Sequence, residues 1–300
     1  MLKKMWCFFV LLFIFGFSAT LMGNEWANYY FPDTLGSYWT YEDQDGEEFT
    51  RYAIEPQDFD GETYRAFSYD PPLEDWADYR YHIHSYFYQV GNDWVAFSTG
   101  EEIENAIKAL VTNKLDEGVM QPLREQLDKT APPGVTFDIS TTFEAEAQDY
   151  FYLFPTPITY NEEWDSMAVH GKFVIRIDVA GDPNEVPPGG ALIFTFNYNV
   201  SEIGTVKTTE TVETPAGTFE DCLKIEFQAE IGMTLETSPP MEGTQSMLPD
   251  NSKSLTTLWL APNVGLVKME QESENSNTSK TFELTNYEIK STESGSGETN

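Results

Sequence analysis

"GALIFTFNYNVSEIGTVKTTETVETPAGTFEDCLKIEFQAEIGMTL", residues 190–235, reads as two strands joined by a turn. Beyond the turn, Leu223, Ile225 and Phe227 fall on one side, with Lys224 and Glu226 between them on the other. That period of two marks a strand with one buried face. Thr214-Pro215-Ala216-Gly217 places proline second and glycine fourth, the signature of a type I turn.

The same alternation runs outward in both directions. "SYWTYEDQDGEEFTRYAI" (37–54) sets Tyr38, Trp39 and Tyr41 before an Asp45-Gly46 turn and Phe49, Tyr52 and Ile54 after it. Asp-Gly supplies the positive φ of a two-residue hairpin. Asp60-Gly61 leads into "ETYRAFSY", and "YRYHIHSYFYQVGNDWVAFST" (79–99) turns at Gly91-Asn92. "MAVHGKFVIRIDVAG" (167–181), "LWLAPNVGLVKME" (258–270) and "SKTFELTNYEIK" (279–290) are further strands. In the 258–270 ribbon Pro262 and Gly265 build the turn. Trp259, Val267 and Met269 face the core, and Lys268 and Glu270 face water.

One stretch has helical rather than strand spacing. In "STGEEIENAIKALVTNKLDEGVMQPLREQLDK" (98–129), Thr99 and Glu102 form a capping box. Ile103, Ala106, Ile107, Leu110 and Leu115 make an apolar stripe. Gly118 and Pro122 break the run, and Leu123 and Leu127 continue it in a second helix. Such a pair is expected to cover one face of a sheet.

The first 23 residues have the form of a Sec-type leader: Lys3 and Lys4, an apolar run from Met5 to Phe17, then Ser18, Ala19, Thr20 and Gly23. The alternative is a membrane anchor, since an uncharged run of about 20 residues is nearly long enough to span a bilayer. Cys7 lies inside the apolar run, against lipid modification there. The expected compartment is periplasmic or extracellular, with no stable membrane insertion after cleavage.

Removing Lys3 and Lys4 takes the net charge from −33 to −35. That balance excludes nucleic acid and anionic lipid head groups as partners, because their phosphates are held by Lys and Arg. It suits binding of cations or cationic surfaces or, as the plainer alternative, an acidic solvated surface that keeps the protein soluble. Cys222 is the single cysteine beyond the leader, so no intrachain disulfide forms there, and its neighbours Glu220 and Asp221 make it a poor nucleophile.

Sites of chemistry are sparse. His82 and His84, two apart on an expected strand, share a face and are half of a metal site, with Asp78 or His170 as further ligands. Two such histidines also arise on sheets without metal. "YEDQDGEEF" resembles a calcium loop, but with Gly46 at the sixth position Tyr41 and Tyr52 stand where acids are required. A weak cation site at Asp43 and Asp45 is the remaining reading, with a plain hairpin turn as its alternative. No nucleophile elbow, phosphate loop or dinucleotide fingerprint occurs, and no cofactor is implied. Tyr29, Tyr30, Trp76 and Trp94 are candidates for sugar stacking, or ordinary strand aromatics.

"YFPDTLGSYWTYEDQDG" (30–46) resembles the opening of a broad group of uncharacterised exported bacterial domains. "VETPAGTFEDCLKIEF" (212–227) with "LWLAPNVGLVKME" resembles that group's closing half. The resemblance implies a strongly curved antiparallel sheet with helices in its concavity, similar in outline to the half-barrels of periplasmic lipoprotein and lipid carriers. The expected fold is therefore mainly β (α+β), a curved sheet or half-barrel whose concave face a helical pair covers. The alternative is two sheets flanking the helices. The expected layout is a signal peptide over 1–23, one β-rich domain over 24–290 with a helical insertion at 99–129, and a disordered tail over 291–300. The expected function is non-enzymatic binding of a lipid or other hydrophobic small molecule between sheet and helices. A surface-interaction or carbohydrate-binding module is the second reading, and a carboxylate-based hydrolase the third.

Overall fold

The computed structural model describes residues 29–59, 61–72, 81–84, 87–91, 93–98, 121, 124, 125, 129, 134–181, 191–240, 252–274 and 276–291. Those residues form one antiparallel sheet of 13 strands. The strands are β1 (Tyr38–Asp43), β2 (Glu48–Phe59), β3 (Glu62–Asp70), β4 (Phe87–Val90), β5 (Trp94–Ser98), β6 (Thr136–Ala147) and β7 (Tyr150–Pro155). There follow β8 (Glu163–Ala180), β9 (Ala191–Thr214), β10 (Gly217–Ser238), β11 (Ser252–Ala261), β12 (Gly265–Ser273) and β13 (Ser276–Glu288). Their order across the sheet is β6-β8-β9-β10-β11-β12-β13-β1-β2-β3-β4-β5-β7.

This corrects the expected α+β class. The described chain is nearly all strand in a single sheet, and among the described residues no helical pair covers a face. One short helix, α1 (Tyr81–His84), has bounds of its own. Gln121, Arg124, Glu125 and Lys129 are helical and exposed, and the rest of the 99–129 stretch lies outside the described residues. So do residues 1–28, which include the stretch expected to be a leader, Trp76, Asp78 and residues 292–300 of the expected tail.

The sheet curls until β7 lies against β8. The seam is made by side chains. Trp164 Nε1 donates to Tyr152 O (2.9 Å), Ser166 Oγ to the same carbonyl (3.1 Å), and Gln148 Nε2 to Ser166 O (2.7 Å). One backbone bond, Gln148 N–H to Ala168 O, extends the β6–β8 ladder into the seam. At β8 the seam gives way to β6, which pairs with Val169–Ala180.

Two glycines make the inner packing of the wide strands possible. Gly204 stands directly opposite Trp164, and Gly171 opposite Tyr198. A Cβ at Gly204 would lie 2.3 Å from the Trp164 ring, and one at Gly171 1.9 Å from the Tyr198 ring. Each ring lies flat where a side chain is missing.

The main core fills the wrapped part, with Trp39, Tyr41, Phe67, Tyr88, Phe97, Phe151, Phe154, Phe227 and Phe282 fully buried. Arg51 is buried among them, 1 % exposed, its guanidinium carbon 4.7 Å from both the Trp39 and Phe67 ring centres. On β2 the inward residues are therefore Phe49, Arg51 and Ala53, while Tyr52 is exposed and Ile54 half-buried. Tyr52 and Ile54 thus leave the apolar phase assigned to them.

The turns largely fall where the sequence places them. Phe59 pairs with Glu62 across a two-residue connection containing Gly61 (φ 85°). Thr214 pairs with Gly217, and Gly91 N–H bonds Trp94 O. The 43–47 connection is longer than the two residues expected. Gly46 N–H closes on Asp43 O, and Asp43 Oδ1 accepts from the amides of Asp45 and Glu47, each at 2.9 Å.

The ribbon at 258–270 receives the start of the chain. Trp39 Nε1 donates to Val264 O (2.6 Å), Tyr41 OH to Leu266 O (2.9 Å), and Asn263 N–H to Tyr29 O. Pro32 packs on Gly265, which holds φ 91°. Arg65 fixes the entering segment through Asp33 (2.8 Å) and Phe31 O (2.7 Å). The opening and closing motifs thus form one end of the wrap together.

Candidate functional site

Beyond the seam, β6 and the far halves of β8, β9 and β10 continue as an apron with one polar and one apolar face. The pairing of β8 with β6 alone runs from Val169 to Ala180, about 40 Å of strand. Cross-strand partners share a face, so the apolar side collects Phe143, Phe173, Phe196 and Leu235 in one row and Ile139, Ile177 and Leu192 in another. All of these except Leu235 belong to a second hydrophobic cluster, separate from the main core. Its centre on β8 is buried, while Phe137, Ile139, Phe143, Leu192, Phe194 and Phe196 are only partly so. The aromatic rings meet one another: Phe173–Phe196 at 6.0 Å and tilted, and Phe143–Tyr198 at 6.0 Å and nearly parallel. The other face carries Asp138, Glu144, Lys172, Arg176 and Glu230, all exposed.

Where this face meets the main core, three polar side chains are buried together. Glu202 stands in the apolar phase of β9 and is 2 % exposed. Its Oε1 lies 3.0 Å from Ser166 Oγ, whose single proton is shared with Tyr152 O, and 3.1 Å from His82 Nε2. His82 arrives on α1, which lies inside the wrap: Ile83 is fully buried, its carbonyl accepts from Tyr69 OH, and the His82 ring is 4.5 Å from Phe227. A buried carboxylate without such partners is strongly destabilising. The cluster therefore holds α1 against the sheet at the root of the apolar face.

The metal reading of the histidines is not assembled. Tyr81–His84 is a helical turn, where positions two apart do not share a face. His82 is engaged inside, whereas His170 is exposed on β8 beside Asn199 (2.8 Å). Among the described residues no group of three or more His, Cys, Asp or Glu could hold a metal ion. Asp43 bonds the amides of its own turn, which is the hairpin alternative.

The stacking candidates are also dispersed. Tyr30 is buried, Tyr29 meets it edge-on at 80°, and Trp94 packs between Tyr152 and Trp164. Cys222 is buried, and burial above all, with the Asp221 and Glu210 charges adding to it, pushes its thiol up to about 11. Trp259 is buried as expected, but from the opposite side to Val267 and Met269. Its direct partners are Lys224 and Lys268, whose ammonium groups lie 5.4 and 5.6 Å from its ring, and its Nε1 donates to Glu210 (2.5 Å).

Glu202, Ser166 and Arg51 carry the buried polar structure, and none was singled out from sequence. The usable signal was an ion in the apolar phase of a strand: Glu202 between Val200 and Gly204, Arg51 between Phe49 and Ala53.

Residues 204–284 match a DUF3108-like family model. The span runs from within β9 into β13, and it contains both closing motifs but not the 30–46 opening. No curated protein matches. Among solved structures, an exported-protein candidate with a YmcC-like fold from Bacteroides fragilis NCTC 9343 is similar at TM-score 0.39 and 15% identity, covering 87% of this chain and 99% of its own. A lipoprotein candidate from Parabacteroides distasonis ATCC 8503 gives TM-score 0.38 and 15% identity, over 87% and 98%.

Proposed function

We propose that the chain is an exported, non-enzymatic binding protein whose apron holds a lipid acyl chain, or a similarly extended hydrophobic molecule, on its apolar face. The observation that carries this reading is the second hydrophobic cluster. An ordinary core is finished by burial, whereas six of its aromatic and aliphatic side chains stay partly exposed along a face far longer than the wrapped core needs. Pockets for small molecules are lined in this way, mostly apolar with a few placed polar groups. The leader at 1–23 supports export. The polar side chains described at the root of the face bond one another and show no nucleophile beside a base at an open surface, which favours binding over catalysis.

Native mass spectrometry of the protein secreted from a bacterial host tests the reading. Added mass matching a lipid is expected, and a fluorescent fatty acid should bind the delipidated protein. Phe196→Asp places a charge in the middle of the face and should abolish that binding. Bare polypeptide mass, together with no fatty-acid binding, overturns the proposal.

A further inference from the structure

The outer face of the wrapped end carries an aromatic pair. On β1 and β2 the buried residues are Trp39, Tyr41, Phe49, Arg51 and Ala53, so the alternate positions Tyr38, Thr40, Thr50 and Tyr52 point outward. Tyr38 and Tyr52 are direct cross-strand partners, with ring centres 6.2 Å apart and planes inclined by 43°. Tyr52 is 38 % exposed and Tyr38 is half-buried. Polar groups frame the two rings. The same row ends in Glu288 on β13 and Ser68 on β3, and Glu288 is paired with Lys290. In the next row the Thr40 and Thr50 hydroxyls meet at 3.0 Å, and Asn286 Nδ2 donates to Tyr38 OH at 3.4 Å.

We infer that Tyr38 and Tyr52 form a binding site for a neutral oligosaccharide. A sugar ring presents a face of C–H bonds, which stacks on an aromatic ring, and a rim of hydroxyls that both donate and accept. The hydroxyls of Ser68, Thr40 and Thr50 and the amide of Asn286 match such a rim, since each also donates and accepts. Neighbouring strands of a twisted sheet are rotated against each other, so the two inclined rings suit successive residues of a sugar chain that itself turns. The size of the site favours a sugar over a protein. Two rows across four strands span roughly 15 by 7 Å, several-fold less than the ~800 Å² that each partner commits to a stable protein interface. Charge favours a neutral sugar, because Glu288 at the rim and a net charge of −33 repel uronic acids and sulfated chains. The pair stands on β1 and β2, outside the apron strands, so this inference and the lipid proposal can fail separately.

Isothermal titration of the secreted full-length protein with cellohexaose, xylohexaose and maltohexaose tests the site, with hexagalacturonate as the charged control. At least one neutral hexasaccharide should bind, and hexagalacturonate should bind about tenfold more weakly or not at all. Tyr52→Ala should weaken the neutral sugar by about tenfold, whereas Tyr52→Phe, which keeps the ring, should stay within about twofold. Tyr52 is exposed, so both variants should keep the parent melting curve. Phe196→Asp should leave the sugar affinity unchanged. Tyr38→Ala repeats the test at the second ring and should again weaken binding by about tenfold. Binding of none of the three neutral sugars, an affinity unmoved by Tyr52→Ala, or equal binding of hexagalacturonate would each overturn the inference.

Discussion

Gly204→Ala should loosen the seam that closes the sheet. The added methyl would lie 2.3 Å from Cε2 and Cζ2 of Trp164 and 2.8 Å from its Nε1, so the ring has to move. It is held by the bond from Nε1 to Tyr152 O, and by Phe227, which meets it edge-on with ring centres 6.1 Å apart. Overpacking a close-packed site costs about 1–3 kcal/mol, and losing a partly buried hydrogen bond adds about 1 kcal/mol. A total near 3 kcal/mol should lower Tm by about 6–12 °C for a chain of this size. Thermal unfolding followed by circular dichroism and tryptophan fluorescence reads both the shift and the ring's displacement. Trp164→Ala alone should cost about 3–5 kcal/mol through the cavity it leaves. With both changes the methyl enters that cavity, so the double variant should fall short of additivity by about 1–3 kcal/mol. A Gly204→Ala shift below about 2 °C would refute the packing argument. So would costs that add within about 0.5 kcal/mol.

Two other consequences concern buried ionisable groups. Arg51 has aromatic faces around it, and among the described residues no carboxylate forms an ion pair with it; burial opposes its charge, while Tyr41, Tyr69 and Tyr88 more than offset that and raise its pKa. Chemical denaturation should therefore find Arg51→Met within about 1 kcal/mol of the parent and Arg51→Lys clearly less stable, since an ammonium is more strongly hydrated and cannot stack; the reverse order would sink the cage account. Burial, first among the causes in each case, raises Cys222 to about 11 and Tyr30 and Tyr41 to about 12, so the folded chain holds these protons more tightly than the unfolded one. Their contribution is intact below about pH 9 and is lost as pH climbs through the folded values, so Tm should be level up to about pH 9 and fall towards pH 12, with Cys222→Ala flattening the first part of the decline; a Tm unchanged across that range contradicts the assignment.

Strands were legible because alternation is a local property, and the long β8, β9 and β10 carry it cleanly. What defeated the reading was always a partner distant in sequence. "YRYHIHSYF" alternates as well as any strand, yet 81–84 is a helical turn because Ile83 enters the core and His82 meets Glu202, 120 residues away. The phase of β2 was hidden by Arg51, an ion doing the packing of an aromatic neighbour. Trp259 was assigned to the inner face on its hydrophobicity, although its register with Lys224 and Lys268 puts it outside under their aliphatic stems. The curl of one sheet onto its own edge depends on Gln148, Trp164 and Ser166, polar or aromatic residues whose targets are carbonyls, and carbonyls leave no mark in a sequence. The apolar face of the apron could be read strand by strand, but not as a surface, since that requires knowing that β6 joins β8 rather than its neighbour β7.

The two ends of the long strands are held by different kinds of contact. At the wrapped end, Trp39, Tyr41 and Arg65 tie segments far apart in the chain through side-chain bonds to carbonyls, each with its own direction. Directional bonds to the backbone fix a single arrangement, and a surface so fixed adapts poorly to a guest. On the apron the inner face is held by ring contacts near 6 Å, the spacing also found between rings of the main core, with no bond from the Phe143, Phe173 or Phe196 side chain to a carbonyl. The boundary between the two regimes is Glu202, the one carboxylate buried among the described residues, bonded to Ser166 and His82. A rearrangement that carried apolar matter past that position would first have to part Glu202 from Ser166 and His82 and leave a buried polar group without partners.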